Sequence, residues 1–132
     1  MAVSNDEGLE GKVAIVTGGG AAGEGIGNGR AAALLLARAG CRVLVVDRRL
    51  ELAEATAAMA TAGGGDAAAF AADVTVEEQC AAMVAAAVER WGRLDVLDNN
   101  VGIGSRGSVV DEDLARWERV MQVNVTSMVL SS

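Results

Sequence analysis

The sequence predicts an α/β fold, a parallel sheet between two layers of helices, and three observations predict it. Four short strand-like runs alternate with four helix-forming stretches through short connections. A glycine-rich turn joins the first run to the first helical stretch, and an acid, Asp47, closes the second run. Alternation of this kind implies right-handed crossovers, each of which lays a helix on one face of a parallel sheet. At 132 residues the chain has the size of one small domain, and no linker or repeat divides it.

Residues 1–10 ("MAVSNDEGLE") read as a polar tail. "KVAIVT" (Lys12 to Thr17) is a β-branched run that stops at glycines, as a buried strand does. "RAAALLLARAG" is rich in helix formers and closes at Gly40, a residue suited to the C-terminal cap. "CRVLVVD" is the second strand. An Ala/Glu/Leu helix follows from Arg49 to about Ala62 and ends at Gly63, Gly64 and Gly65. "DAAAFAADV" is a third, weaker strand whose alanines suit a helix by propensity alone. Thr75 is the expected N-cap of the next helix, with Glu78 completing a capping box, and that helix stops at Gly92 after Trp91. "LDVLDNN" is the fourth strand, with Leu94 to Asp98 its paired part. Asp111 to about Leu130 forms the last helix, with acids at its start.

Composition narrows the chemistry. The chain holds two Trp, one Phe and no Tyr, Pro or His, so its core is built from Ala, Val and Leu. Without His or Tyr it offers neither an imidazole nor a phenolic base. A net charge of −7 argues against nucleic acid or an anionic membrane as partner. No apolar run approaches the ~20 residues that span a bilayer, and the first ten residues lack a secretory pattern. Cys41 and Cys80 stand far apart in no metal-like spacing and read as small buried hydrophobes of a reducing cytosol. The chain is expected to be cytoplasmic and to bind no metal.

The turn "TGGGAAGEGIGNGR" carries the functional signal. A helix N-terminus points unpaired N–H groups and a partial positive charge forward, and glycines let a pyrophosphate approach them. The turn here follows a strand, precedes a helix, and has an acid at the end of the next strand, the context of a dinucleotide site. Seven glycines lie from Gly18 to Gly29, more than such a site needs. Asp47 is placed to accept both ribose hydroxyls of adenosine and to repel a 2′-phosphate, so NAD is favoured over NADP. Arg48 and Arg49 follow at once and are able to soften that choice.

With Thr17 and Gly18 opening that turn, the sequence resembles the short-chain dehydrogenase/reductase family, whose first strand and helix read "TGxxxGxG". The resemblance runs from Gly11 to the end of the chain. The remaining glycines allow two registers. Gly25 and Gly27 around Ile26 keep the family's "GIG" wording; Gly27 and Gly29 around Asn28 keep its distance to the glycine that closes the helix. Ten residues separate Gly29 from Gly40, as the family has it, whereas twelve separate Gly27 from Gly40. A two-residue shift rotates a helix by about 200° and turns its buried face outward, which favours Gly27–Asn28–Gly29.

Other residues carry the resemblance further. "ADVT" resembles the family's adenine pocket, which implies that Asp73 and the Val74 backbone receive the adenine amino group. "NNVG" (Asn99 to Gly102) resembles the family's "NNAG", which lines the cofactor; Val101 replaces an alanine, and Asp98 stands where an apolar residue is usual. "RWERVMQVNVTSMVL" resembles the fourth helix, and Asn124 is then the asparagine that helps hold a water of the proton relay. The resemblance implies a Rossmann-type fold of strand order 3-2-1-4, truncated after the fourth strand and helix. It implies hydride transfer between nicotinamide and a carbonyl or alcohol carbon of a small molecule, and a possible homo-oligomer. The family's catalytic Ser, Tyr and Lys lie beyond the fourth helix. This chain has no Tyr, and its one Lys, Lys12, precedes the first strand. The chain alone is therefore expected to bind cofactor without reducing a ketone. A non-catalytic NAD-binding or subunit-pairing module is the competing reading. A methyltransferase with a similar turn is disfavoured by "TG" and "NNVG".

Overall fold

The structure, a computed structural model, describes residues 8–22 and 25–132. Four strands, β1 (Val13–Thr17), β2 (Arg42–Asp47), β3 (Asp66–Ala71) and β4 (Val96–Asp98), alternate with α1 (Asn28–Arg38), α2 (Leu50–Ala62) and α3 (Glu77–Trp91). They form one parallel sheet in the order β3-β2-β1-β4. After β4 the chain runs into α4 (Leu114–Met121), a π-helical turn (Gln122–Thr126) and α5 (Ser127–Ser131).

Alternation along the strands divides the core in two, because successive side chains point to opposite faces. Ala14, Val16, Val43 and Val45 pack on one face against Ala33 and Ala37 of α1 and Ala53, Ala57 and Ala60 of α2. Val13, Ile15, Leu44 and Val46 pack on the other against Cys80, Met83 and Ala87 of α3, with Leu130 of α5 at the margin. The helices present mostly alanine, so they lie close to the sheet and the β-branched strand residues fill the space between. β1, fully buried, is the centre: Ile15 stands beside Leu44 of β2 and Leu97 of β4.

The ends of α1 follow from local chemistry. Gly40, at φ +95°, turns the chain left-handed. Its N–H donates to Ala37 and that of Cys41 to Leu36, the two reversed bonds of a Schellman cap. The turn brings the end of the expected N-terminal tail onto the domain: Gly11 N–H donates to the Gly40 carbonyl, and Leu9 packs against the first core cluster. Residues 1–7 of that tail lie outside the described residues.

Three local expectations need correction. Thr75 does not cap α3; its N–H and hydroxyl both donate to Asp73 Oδ1, at 2.9 and 2.6 Å, and the cap position falls to Val76. The hydroxyl is drawn back onto the carboxylate two residues upstream, in a local turn that places Thr75 before the helix rather than at its cap. The last helix starts at Leu114 rather than Asp111, where the Asp113 side chain accepts the Arg116 N–H at 2.8 Å, and a π turn interrupts it. β4 is shorter than its apolar run. At its start the Asp95 carboxylate, not a carbonyl, takes the Val13 N–H at 2.9 Å, and the regular ladder begins one residue later.

Asp95 also carries a pH dependence. The Arg93 guanidinium, bonded to both its oxygens at 2.8 Å, and the Val13 N–H hold its carboxyl down at about 2. A carboxyl depressed by folding stabilises the folded state above its unfolded value and loses that contribution as pH falls through the folded one. Acid unfolding of the Asp95→Asn variant is therefore expected to show a shallower decline of stability between about pH 4 and about pH 2 than the parent shows. Urea melts across that range check it, and parallel declines would contradict it.

Candidate functional site

Because all four strands are parallel, their carboxyl ends lie along one edge of the sheet. The chain leaves β1 for β2 and β3 on one side and places β4 on the other, so the order reverses beside β1. Such a reversal opens a crevice outside the strand ends. A cleft of about 240 Å³ lies there. Gly18 forms its floor at β1; Asp47 and Arg48 wall it from β2; Val74 and the segment Asn100–Gly102 close it from β3 and β4.

The glycine turn is built by close approach. A Cβ on Gly29 would lie 2.0 Å from the Gly18 carbonyl oxygen and 2.5 Å from Asn100 Nδ2, so only glycine lets the first turn of α1 rest on the end of β1. Gly18 itself has φ +64° and accepts the Asn100 side-chain amide at 3.1 Å. Gly19 and Gly20 are equally confined, against Val45 at 2.6 Å and Leu52 at 2.5 Å. Gly27 is the N-cap of α1, with no atom of the described residues near its missing side chain, and Asn28 is the first helical residue. The helix thus starts in the Gly27–Asn28–Gly29 register, with its first N–H groups lacking intrahelical acceptors.

Asp47 joins the turn to the cleft. Its Oδ2 accepts the Gly20 N–H at 3.1 Å and its Oδ1 the Arg49 N–H at 3.0 Å. Each oxygen keeps a second lone pair for a further donor. Arg48 faces the cleft, while Arg49 is turned onto Glu51 at 2.8 Å.

Other expected site residues stand behind the cleft. Thr17, 1% exposed, donates to the Asp98 carbonyl at 3.1 Å and accepts the Asn100 N–H at 3.2 Å, so it fastens β4 to β1. Asp73 does not line the cleft; its carboxyl, held below its usual value first by the Thr75 hydroxyl, shapes the turn that sets Val74 in the wall. Asn99 is half-buried and does not line the cleft, and it is Asn100 that reaches the glycine turn. Asn124, on the π turn, accepts the Ile103 N–H and donates to the Ile103 carbonyl, both at 2.8 Å. That two-point clasp pins the backbone beyond Gly102, which lines the cleft.

Sequence reasoning placed Gly19, Gly20 and Asn100 inside its motifs without singling them out. The run of three glycines was itself a signal for the first two, since a Cβ on either would meet a neighbour at less than contact distance. Asn100 needed the strand register, because β4 ends at Asp98 and alternation no longer assigns a face beyond it. Among the described residues no group of three His, Cys, Asp or Glu is placed to hold a metal ion, and no helix is long and apolar enough to cross a membrane.

A four-stranded parallel sheet of order 3-2-1-4 with its cleft at the strand reversal defines a Rossmann-type α/β domain. The family model described as short chain dehydrogenase matches residues 12–132, and the chain belongs to that family. It is 44% identical over 124 residues to 2-(S)-hydroxypropyl-CoM dehydrogenase 3 of Xanthobacter autotrophicus, covering 94% of this chain and 47% of that protein. It is 42% identical over 117 residues to tetrahydroxynaphthalene reductase of Pyricularia oryzae, covering 88% of this chain and 40% of that one. The crystal structure of a short chain dehydrogenase from Mycobacterium smegmatis superposes with a TM-score of 0.86 at 35% identity, over 93% of this chain and 50% of that one. The chain thus spans about half the length of the relatives it matches.

Proposed function

We propose that these residues form the cofactor-binding half of a short-chain dehydrogenase/reductase that takes NAD in preference to NADP. One observation carries the reading: Gly18, on whose carbonyl the first turn of α1 rests at Gly29, and Asp47 line one cleft. The first suits a pyrophosphate, and the second suits two ribose hydroxyls and disfavours a 2′-phosphate. Arg48, also in the wall, is the residue that would weaken that preference. Val74 and Gly102 supply the adenine and nicotinamide sides, and Thr17, Gly27, Asn28, Asp73 and Asn99 hold these surfaces in place.

Bound nicotinamide supplies hydride exchange with a carbonyl or alcohol carbon, and a small carbonyl or alcohol compound is the proposed substrate. Asn124 serves as a positioning residue, since its side chain clasps the Ile103 backbone next to Gly102, which lines the cleft. With no Tyr and its one Lys before β1, the chain lacks the family's proton donor, and it is expected to bind cofactor without turnover. Leu114, Trp117, Met121, Val125 and Met128, all exposed and three or four residues apart, form an apolar stripe that supports the second reading, a subunit-pairing module. Titration of the chain with NADH and NADPH tests the first. NADH is expected to bind about tenfold or more tightly than NADPH, with no NADH oxidation on adding a ketone. Equal or reversed affinities would overturn the assignment to NAD.

A further inference from the structure

Arg30 occupies the first turn of α1, yet it is 3% exposed and, among the described residues, the one charged side chain buried to that degree. Burying a guanidinium is costly unless its donors are met, and an apolar side chain of similar length would avoid that cost. Its Nε donates to Thr56 Oγ1 at 2.9 Å, its Nη1 to the Gly25 carbonyl at 2.8 Å and its Nη2 to the Ala21 carbonyl at 3.5 Å. Thr56, fully buried on α2, donates its own proton to the Gly19 carbonyl at 2.8 Å. The direction is fixed, because a guanidinium only donates and a carbonyl only accepts.

Three carbonyls of the enlarged glycine loop, those of Gly19, Ala21 and Gly25, therefore turn toward one buried pair. Among the described residues no peptide bond is cis, and in a trans peptide the next N–H points the opposite way. The N–H groups of Gly20, Ala22 and Ile26 thus face away from Arg30, and that of Gly20 reaches Asp47 in the cleft wall. Backbone N–H groups fixed in one direction are a phosphate-binding device. We infer that Arg30 and Thr56 are positioning residues that set the peptide planes of this loop for the phosphates of the dinucleotide. The inference rests on the dinucleotide reading above. It adds a residue pair that touches no ligand and acts only through the loop.

The test compares NADH, which carries the pyrophosphate, with adenosine, which does not. Both are titrated into the 132-residue chain and its Arg30→Met, Thr56→Val and Thr56→Ser variants. NADH is expected to bind about tenfold more weakly to Arg30→Met and to Thr56→Val, since each removes hydrogen bonds through which the buried pair holds the loop carbonyls. Adenosine affinity is expected to stay within about twofold, and Thr56→Ser, which keeps the hydroxyl, to match the parent for both ligands. Should Arg30→Met fail to fold, the near-isosteric Thr56→Val and its serine rescue carry the comparison. Unchanged NADH affinity in Thr56→Val would overturn the inference, as would equal weakening of NADH and adenosine. Absence of NADH binding to the unaltered chain would instead overturn the dinucleotide reading beneath it.

Discussion

Gly29→Ala is expected to destabilise the chain by about 2–3 kcal/mol and to abolish measurable dinucleotide binding. The usual effect has the opposite sign, because alanine inside a helix is about 1 kcal/mol more favourable than glycine. Here the new methyl would stand 2.0 Å from the Gly18 carbonyl oxygen and 2.5 Å from Asn100 Nδ2. No rotamer relieves a Cβ contact with backbone, so α1 must withdraw from β1. Withdrawal moves the first-turn N–H groups that would face a phosphate. The paired control is Gly27→Ser, at a position with no atom of the described residues near the added side chain, where a better N-cap residue is expected to leave both properties intact or improved. Thermal melts and NADH titration of the two variants check this. A stable, binding-competent Gly29→Ala chain would show that the turn is not built by close approach.

Ile15→Ala is expected to cost about 2–5 kcal/mol, enough to leave a small domain largely unfolded at 37 °C. Ile15 is fully buried on the central strand, between Leu44 and Leu97 and under Met83 of α3. Its neighbours on that face include Cys80 and Ala87, small residues on a fixed helix that cannot fill the space it vacates. The opposite face makes the contrast. Ala14, the neighbour of Ile15 in sequence, already packs alanine against alanine, and removing one methyl there would cost far less. Urea unfolding is expected to show a lower midpoint with an unchanged slope, since the surface exposed on unfolding hardly differs. A midpoint within the error of the parent would place the core elsewhere.

These two residues also show what the sequence made legible. Ile15 sits in a β-branched run bounded by glycines, and the run's period and length were enough to place it in a buried strand. The start of α1 was legible from its end, because Gly40 closes the helix with a two-bond cap and the helix has a fixed rise and turn. The strand reversal beside β1 came from family resemblance rather than from pattern. Arg30 was opaque: burial of a charged residue depends on carbonyls brought to it by a loop, which no apolar periodicity records. The π turn around Asn124 was opaque for a related reason. Its register break is stabilised by the clasp on Ile103, a contact across 21 residues. Thr75 misled because its capping-box spacing was correct while Asp73, two residues before it, holds its N–H and hydroxyl in a local turn ahead of the helix.

The most direct measurement of where a dinucleotide sits is an amide chemical-shift map of the isotopically labelled chain on addition of NAD. Saturable shifts are expected to be largest at Gly18, Gly20, Gly29, Val74 and Gly102, with the Arg49 amide moving as Asp47 takes up the ribose. Shifts confined to the α4 stripe, or no saturable shift at the glycine turn, would contradict a cofactor-binding function for this cleft.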